Sequence, residues 1–478
     1  MTRNPDFEVM FNPKTIAVVG AKRSSTAQGW LGMLAMIRQF GFPGRIYPIN
    51  PNATEVDGLK AYPNLVSVPE PVDLVIISVP APAVPAALRD CIASGNKNVH
   101  IFTAGFKETG EEEGSKLQQE IEEIAHSGGL RVIGPNCMGL YVPKARLVTW
   151  TPACAESGPV AFVTQSGGHA GDFANYATQF GIRFSKAISY GNALTLDCTD
   201  FLEYLADDAD TSIITMYLEG VKDGSKLLRL VTDINRTKPI IIMKGGLTES
   251  GARAVASHTG SLAGGENVWG AFFKQSGAVQ VNSLEEISDV TLAFLHLLPP
   301  RGRRVAIVST GGGIGVAAAD ACNREGLEVP TLSPETRKEL LAFVPPAGNS
   351  IRNPLDVEVF FGDISLLERA LDVVSDDPNV DMLVISLHLD WLYGISEGNH
   401  VTKLASYLAT SARDQLHDKP YVVSLRRYRT DPGLEQTKLT LQQELLAAGV
   451  PVYDDLPRAA RALAKLAEYH QFHRDGFT

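Results

Sequence analysis

The sequence predicts an α/β protein built from doubly wound parallel sheets. Short, continuous apolar runs alternate with helical patterns along all 478 residues, the reading expected of strands buried on both faces and joined by crossover helices. Three of these runs open at once into a glycine-rich turn: Gly20-Ala-Lys-Arg-Ser-Ser25, Gln165-Ser-Gly-Gly168 and Thr310-Gly-Gly-Gly-Ile-Gly315. The composition agrees, with 44% hydrophobic residues, 20% charged residues and 43 glycines, as a globular chain rich in tight strand-to-helix turns requires.

Taken in order, the strands form three sets. Thr15–Val19, Arg45–Ile49, Leu74–Ser78, His100–Phe102 and Arg131–Ile133 make the first. Val160–Thr164, Lys186–Ile188, Ile213–Leu218 and Ile240–Met243 make the second; Arg304–Ser309, Met382–Ser386 and Tyr421–Leu425 make the third. Breaks at Ala155-Glu-Ser-Gly-Pro159 and Leu298-Pro-Pro-Arg-Gly-Arg303 separate the sets. Three α/β domains are therefore expected, 1–150, 151–298 and 299–478, the last ending in an amphipathic helix from Leu456 to His470.

A net charge of -11 argues against a nucleic-acid binder, and the run Arg426, Arg427, Arg429 reads as a solvated face. Five cysteines show no CxxC and no metal-ligand spacing, so neither a disulfide nor a metal site is expected. The start has no apolar signal-peptide core, and no stretch approaches the ~18 apolar residues of a spanning helix. A cytoplasmic protein with no membrane contact is expected.

Open α/β sheets bind ligands beyond the carboxyl ends of their strands. In the first domain the turn Gly20, Ala21, Lys22, Arg23 lies at that edge and suits an anion, although a packing turn would read the same way. Strict GxGxxG spacing is absent, and the second strand ends in Pro48-Ile-Asn-Pro-Asn52 rather than in an acidic ribose partner. A nucleotide-bearing cofactor other than NAD is expected. Ser78–Pro82, Thr103–Phe106 and Gly134–Gly139 would line the same crevice, with Asn136 the preferred polar contact.

In the second domain Ser166, Gly167 and Gly168 begin a helix expected to run through His169 to Phe180, and offer unpaired amides at its positive end as a phosphate cradle. Glu219 ends an apolar strand on the same edge. Beyond the strand Pro239-Ile-Ile-Ile-Met-Lys-Gly-Gly246 comes Ser257-His-Thr-Gly-Ser-Leu-Ala-Gly264, one histidine among small hydroxylic residues. His258 could be a nucleophile oriented by Glu219, since a carboxylate on one ring nitrogen fixes the tautomer and leaves the other free. It could also cap a helix or sit in an ordinary glycine-rich turn, and Glu219 could cap the next helix or pair with Lys222. His169 is a rival nucleophile, with its ring expected to point away from the edge. Together the pieces suggest a phosphohistidine site needing no metal held by this chain.

These motifs, with Tyr217-Leu-Glu-Gly-Val-Lys-Asp-Gly224, Gly311-Gly-Gly-Ile-Gly315 and Asn353-Pro-Leu-Asp-Val357, occur in an order that resembles the nucleoside-diphosphate-forming acyl-CoA synthetases. The likeness covers essentially the whole chain and is to the α-subunit type of the ADP-forming acetyl-CoA synthetases, relatives of the succinyl-CoA synthetase α subunit. It implies a CoA-binding Rossmann-like domain followed by two flavodoxin-like domains. It also implies a ligase in which carboxylate, CoA and ATP interconvert with acyl-CoA, ADP and phosphate through an acyl phosphate and a phosphohistidine loop. The phosphorylated histidine then falls on His258, its partner glutamate on Glu219 and the phosphate-binding helix start on Ser166, Gly167 and Gly168. CoA contacts fall on the turn from Gly20 and on Asn50, Pro80 and Asn136.

The family's ATP-grasp module is not found in this sequence, so the resemblance implies a separate ATP-grasp β subunit, with ATP or ADP and Mg2+ bound there, in a homo- or hetero-oligomer. Leu147-Val-Thr-Trp-Thr151 and Leu194-Thr-Leu-Asp197 depart from the family's usual runs. Both segments are expected near the acyl site, so the small carboxylic acid substrate need not be acetate, and a bulkier or less common one is plausible. Two alternatives remain: a CoA-binding regulatory or scaffold protein without catalysis, which retention of His258 and Glu219 disfavours, and a nicotinamide-dependent dehydrogenase, which the missing acidic ribose partner disfavours.

Overall fold

The computed structural model describes residues 5–22, 32–151, 154–259, 265–309, 311–345, 348–357, 363–396, 399–413 and 419–476. The chain divides into two compact units, Met1–Ile287 and Ser288–Thr478.

The first unit holds two sheets. One consists of β1 (Thr15–Val19), β2 (Arg45–Ile49), β3 (Leu74–Ile77), β4 (Asn98–Ile101) and β5 (Arg131–Ile133), all parallel, in the order β2-β1-β3-β4-β5. Every residue of β1, β3 and β4 is buried, which is why β1 and β3 read as apolar runs rather than as alternating ones, while β4 carries Asn98 and His100 into the same burial.

The other sheet adds β6 (Gly139–Val142), β7 (Leu147–Val148), β8 (Ser157–Thr164), β9 (Phe184–Ser189), β10 (Ile213–Leu218), β11 (Ile240–Lys244) and β12 (Val279–Val281), in the order β12-β11-β10-β8-β9-β6-β7. Its five later strands repeat the winding of the first sheet. β6 and β7 were not anticipated; they pair antiparallel, β6 along the outer edge of β9. They are too short to show a period, and their burial comes from a neighbour distant in sequence.

In the second unit β13 (Val305–Ser309), β14 (Leu355–Asp356), β15 (Met382–His388), β16 (Tyr421–Arg426) and β17 (Val452–Tyr453) are parallel in the order β14-β13-β15-β16-β17, the same winding again. The Asn353–Val357 motif has structural work here: the Asn353 amide accepts from Ile307 N–H at 3.0 Å and donates to Val305 O at 2.7 Å. Asp356 Oδ1 accepts from Gly311 N–H at 2.6 Å, which holds the glycine turn to the end of β14. The C-terminal helix runs Leu456–Asp475, longer than expected, and the Arg458 guanidinium grips the Asp289 carboxylate at 2.6 and 2.7 Å.

His100 on β4 is fully buried, its Nε2 3.4 Å from the Cys137 carbonyl and its ring tight against Gly139. Burial pushes its pKa down to about 4, so the folded chain holds it neutral. Its unfolded counterpart protonates near pH ~6.5, so stability is unaffected above that pH and falls as pH drops from ~6.5 toward ~4, by up to about 3 kcal/mol. Chemical denaturation of wild type and His100→Asn across that window should show a steeper loss in wild type.

Candidate active site

Parallel pairing of β8 with β10 places Thr164 opposite Tyr217, so the residues after both strands emerge side by side at the switch point of the sheet. Gln165 joins them: its side-chain oxygen accepts from the backbone N–H of Glu219 at 2.5 Å and of Gly220 at 2.9 Å. Glu219 is thereby fixed one residue beyond β10, only 3% exposed. Tyr217 donates its hydroxyl to Glu219 Oε1 at 3.2 Å, and burial with the Glu219 charge raises the phenol pKa, which keeps that donor protonated.

Ser166 is the N-cap of the helix Gly167–Gln179, its hydroxyl accepting from His169 N–H at 3.3 Å. The hydroxyl is occupied by the cap, and the amides of Gly167 and Gly168 belong to the first turn, where an α-helix has no internal acceptor for them. A Cβ on Gly167 would stand 3.0 Å from the Met138 side chain, so this turn is closely backed by the Gly134–Gly139 segment. The expectation for His169 is corrected: its ring lies 4.4 Å from the Tyr217 ring at 62°, toward the Glu219 cluster rather than away from it.

His258 falls in the last turn of the helix Glu249–Thr259, not in an extended loop. Its side chain and residues 260–264 lie outside the described residues. The helix packs against the single turn Lys107–Thr109 at the carboxyl edge of the first sheet, so His258 is carried on an element shared by both edges.

Along the first sheet, Gly20 has φ +85, and a Cβ there would fall 2.3 Å from Ser78 O, so glycine is required where β1 and β3 diverge. The amides of Gly20 and Ala21 both point to Ile49 O, at 3.0 and 3.3 Å, and the Asn50 side chain donates to Ala21 O at 2.8 Å. These three residues shape the turn with groups already paired. Lys22 and Pro80 are exposed at the same edge, and Arg23 lies outside the described residues. An exposed ammonium beside a close-packed glycine turn fits a phosphate-bearing ligand such as CoA.

Asn136, at φ 57, donates its backbone N–H to Thr103 O and its side-chain amide to Asn192 Oδ1 at 3.4 Å. Asn192 in turn donates to Glu108 Oε2 at 2.6 Å and to Gln118 at 3.0 Å, and Glu108 accepts the Gly105 amide at 2.6 Å. Backbone and Asn192 hydrogen bonds hold the Glu108 carboxyl below its usual range although burial opposes them. This network joins the carboxyl edges of the two sheets. Sequence reading missed Gln165, Tyr217, Asn192, Glu108 and Lys244; only Lys244, a charge ending an apolar strand, carried a signal of its own.

In the two segments expected near the acyl group, the side chains make structural contacts. Trp150 is buried with its ring 5.9 Å from Tyr141, behind the edge strand β7. Leu194 and Leu196 are core, Thr195 accepts the Val132 amide at 2.8 Å, and Asp197 forms a capping box with Asp200 on the helix Cys198–Ala206.

Comparison with known proteins follows the three sheets. Residues 14–143 match the CoA binding domain family, residues 157–294 the succinyl-CoA ligase like flavodoxin domain, and residues 305–453 the Ligase-CoA domain. The chain is 37% identical to the acetate–CoA ligase (ADP-forming) II subunit alpha of Pyrococcus furiosus, over 96% of this chain and 98% of that one. It is 36% identical to the acetate–CoA ligase (ADP-forming) I of Archaeoglobus fulgidus over 97% of this chain, but spans only 63% of that relative's length. Among solved structures, the dinucleotide forming acetyl-coenzyme A synthetase 1 of Ca. Korarchaeum cryptofilum, in complex with phosphate and ADP, superposes with a TM-score of 0.83. That match has 33% identity and covers 98% of this chain and 97% of that one. Among the described residues no helix is long and apolar enough to cross a membrane.

Proposed function

The chain belongs to the nucleoside-diphosphate-forming acyl-CoA synthetases, as a member of their α-subunit type, and from that premise we propose that it is an acid–thiol ligase working through a phosphohistidine. A carboxylate, CoA and ATP interconvert with acyl-CoA, ADP and phosphate, the phosphoryl group passing between His258 and an acyl phosphate. The observation that carries this reading is the junction of β8 and β10, where Gln165 locks Glu219 beside the helix start Ser166, Gly167 and Gly168.

His258 is the nucleophile, and Glu219, with its carboxylate held by Tyr217, stabilises the charged ring. The first-turn amides of Gly167 and Gly168 receive the phosphoryl oxygens. CoA lies along the edge of the first sheet at Lys22, Arg23, Pro80 and Asn136, with Gly20, Ala21 and Asn50 shaping the turn. Functionally the chain divides into a CoA domain (1–150), a phosphohistidine domain (151–298) and a second ligase domain (299–478). Full turnover needs an ATP-grasp β subunit that binds ATP or ADP with Mg2+ in the cytoplasm, a view supported by the match to a relative named as an alpha subunit.

The acyl-CoA half of the reaction can be tested on the chain itself. Incubation with labelled inorganic phosphate and a panel of acyl-CoA thioesters should put acid-labile, alkali-stable label on the protein for the correct acyl group. With a cognate β subunit, γ-labelled ATP should place the same label. CoA binding without label under either condition would favour the scaffold alternative.

A further inference from the structure

Lys244 ends the apolar strand β11 and is 6% exposed. Its ammonium donates to the carbonyl oxygen of Glu219 at 2.9 Å and to that of Gly245, and lies 5.1 Å from the centre of the Trp269 ring. These partners come from three places. Glu219 follows β10, Gly245 opens the connection to the helix that carries His258, and Trp269 lies in the first turn of the next helix, Glu266–Ser276. One buried charge therefore holds the Glu219 main chain and both ends of the stretch 245–269.

A buried ammonium is costly, and an aliphatic side chain would close this strand end without that cost. Burial draws the Lys244 pKa down to about 8, while the nearby Glu219 charge opposes the fall. Packing alone therefore gives no reason for a lysine here; its three contacts do.

We infer that Lys244 is a positioning residue for phosphoryl transfer: by gripping the Glu219 backbone and both anchors of the His258 segment, it sets where Glu219 stands relative to that segment. The inference rests on the phosphohistidine reading. Among the described residues, the ionisable groups around Lys244 are Tyr217 on β10, Glu219 just beyond it and His169 against Tyr217. The Tyr217 phenol is shifted upward and so loses its proton only at higher pH than Lys244. As pH rises through about 8 the ammonium is lost, its grip on the two carbonyls weakens, and phosphorylation slows.

The test uses the chain with its β subunit, following labelling of His258 from γ-labelled ATP and from acyl-CoA with phosphate. Lys244→Met should slow labelling about 100-fold, as misplacement of a reacting group by ~1 Å does, with the KM for phosphate little changed. Lys244→Arg should recover most of the rate and move the alkaline fall upward, because a guanidinium keeps its charge. Trp269→Leu should give an intermediate loss. Wild-type labelling in Lys244→Met, or an unmoved alkaline fall in Lys244→Arg, overturns the inference. If Lys244→Met folds poorly, Lys244→Arg and Trp269→Leu decide it. Absence of label on the wild type refutes the phosphohistidine reading instead. Hydrogen exchange over 245–265 then tests the anchoring by itself: equal protection in wild type and Lys244→Met overturns it, and loss in Lys244→Met restored in Lys244→Arg supports it.

Discussion

Replacing His258 with alanine is expected to abolish phosphoryl uptake and to lower acyl-CoA formation by at least about 10⁴-fold, because removing a covalent nucleophile takes away the intermediate itself. Fold stability should be unchanged within about 0.5 kcal/mol if the side chain works at a surface edge, as substitutions away from packed cores usually are. The informative comparison is His169→Ala. His169 packs on Tyr217 within the Glu219 cluster, so its loss should slow the reaction by disturbing that hydroxyl, yet leave the phosphorylated site occupied. Peptide mapping of the labelled chain distinguishes the two: label retained in His258→Ala and lost in His169→Ala would exchange their roles. Loss of label in both, with both folded, would mean that neither residue acts alone.

The second large effect is expected at Glu219. Glu219→Gln keeps the shape and an acceptor for the Tyr217 hydroxyl but removes the charge that offsets a cationic ring. Phosphoryl transfer should fall by about 10²- to 10³-fold in kcat, with KM for CoA unchanged, since the CoA contacts proposed above lie along the first sheet. The backbone bonds from Glu219 and Gly220 to Gln165 do not involve the side chain, so the turn should persist. A rise in KM with kcat preserved would place Glu219 in substrate binding instead. Stopped-time labelling of His258 separates these outcomes.

Much of the candidate site was legible because its residues break a local pattern. Glu219 is a charge after a largely apolar, wholly buried strand, and Ser166-Gly-Gly168 is a cap followed by two residues without side chains. What escaped was each residue whose meaning comes from a partner far along the chain. Gln165 looks like an ordinary polar residue until its oxygen is seen on Glu219 and Gly220, and Asn192 until it joins Glu108 to Asn136. Trp150 and Asp197, unusual for the family, have structural partners that the sequence did not show: one is buried beside Tyr141 and the other caps a helix.

The sequence by itself determined the class of fold, the succession of the main strands along the chain and the placing of glycine turns after β1, β8 and β13. Apolar periodicity and turn chemistry act over a few residues and so are written locally. Only the tertiary structure decided that β6 and β7 extend the second sheet and that His169 faces Tyr217. It also decided that the buried Lys244 ties Glu219 to both ends of the His258 segment. Those outcomes depend on which distant groups meet when strands pair, and a buried charge or amide has its role set by the partner it finds there.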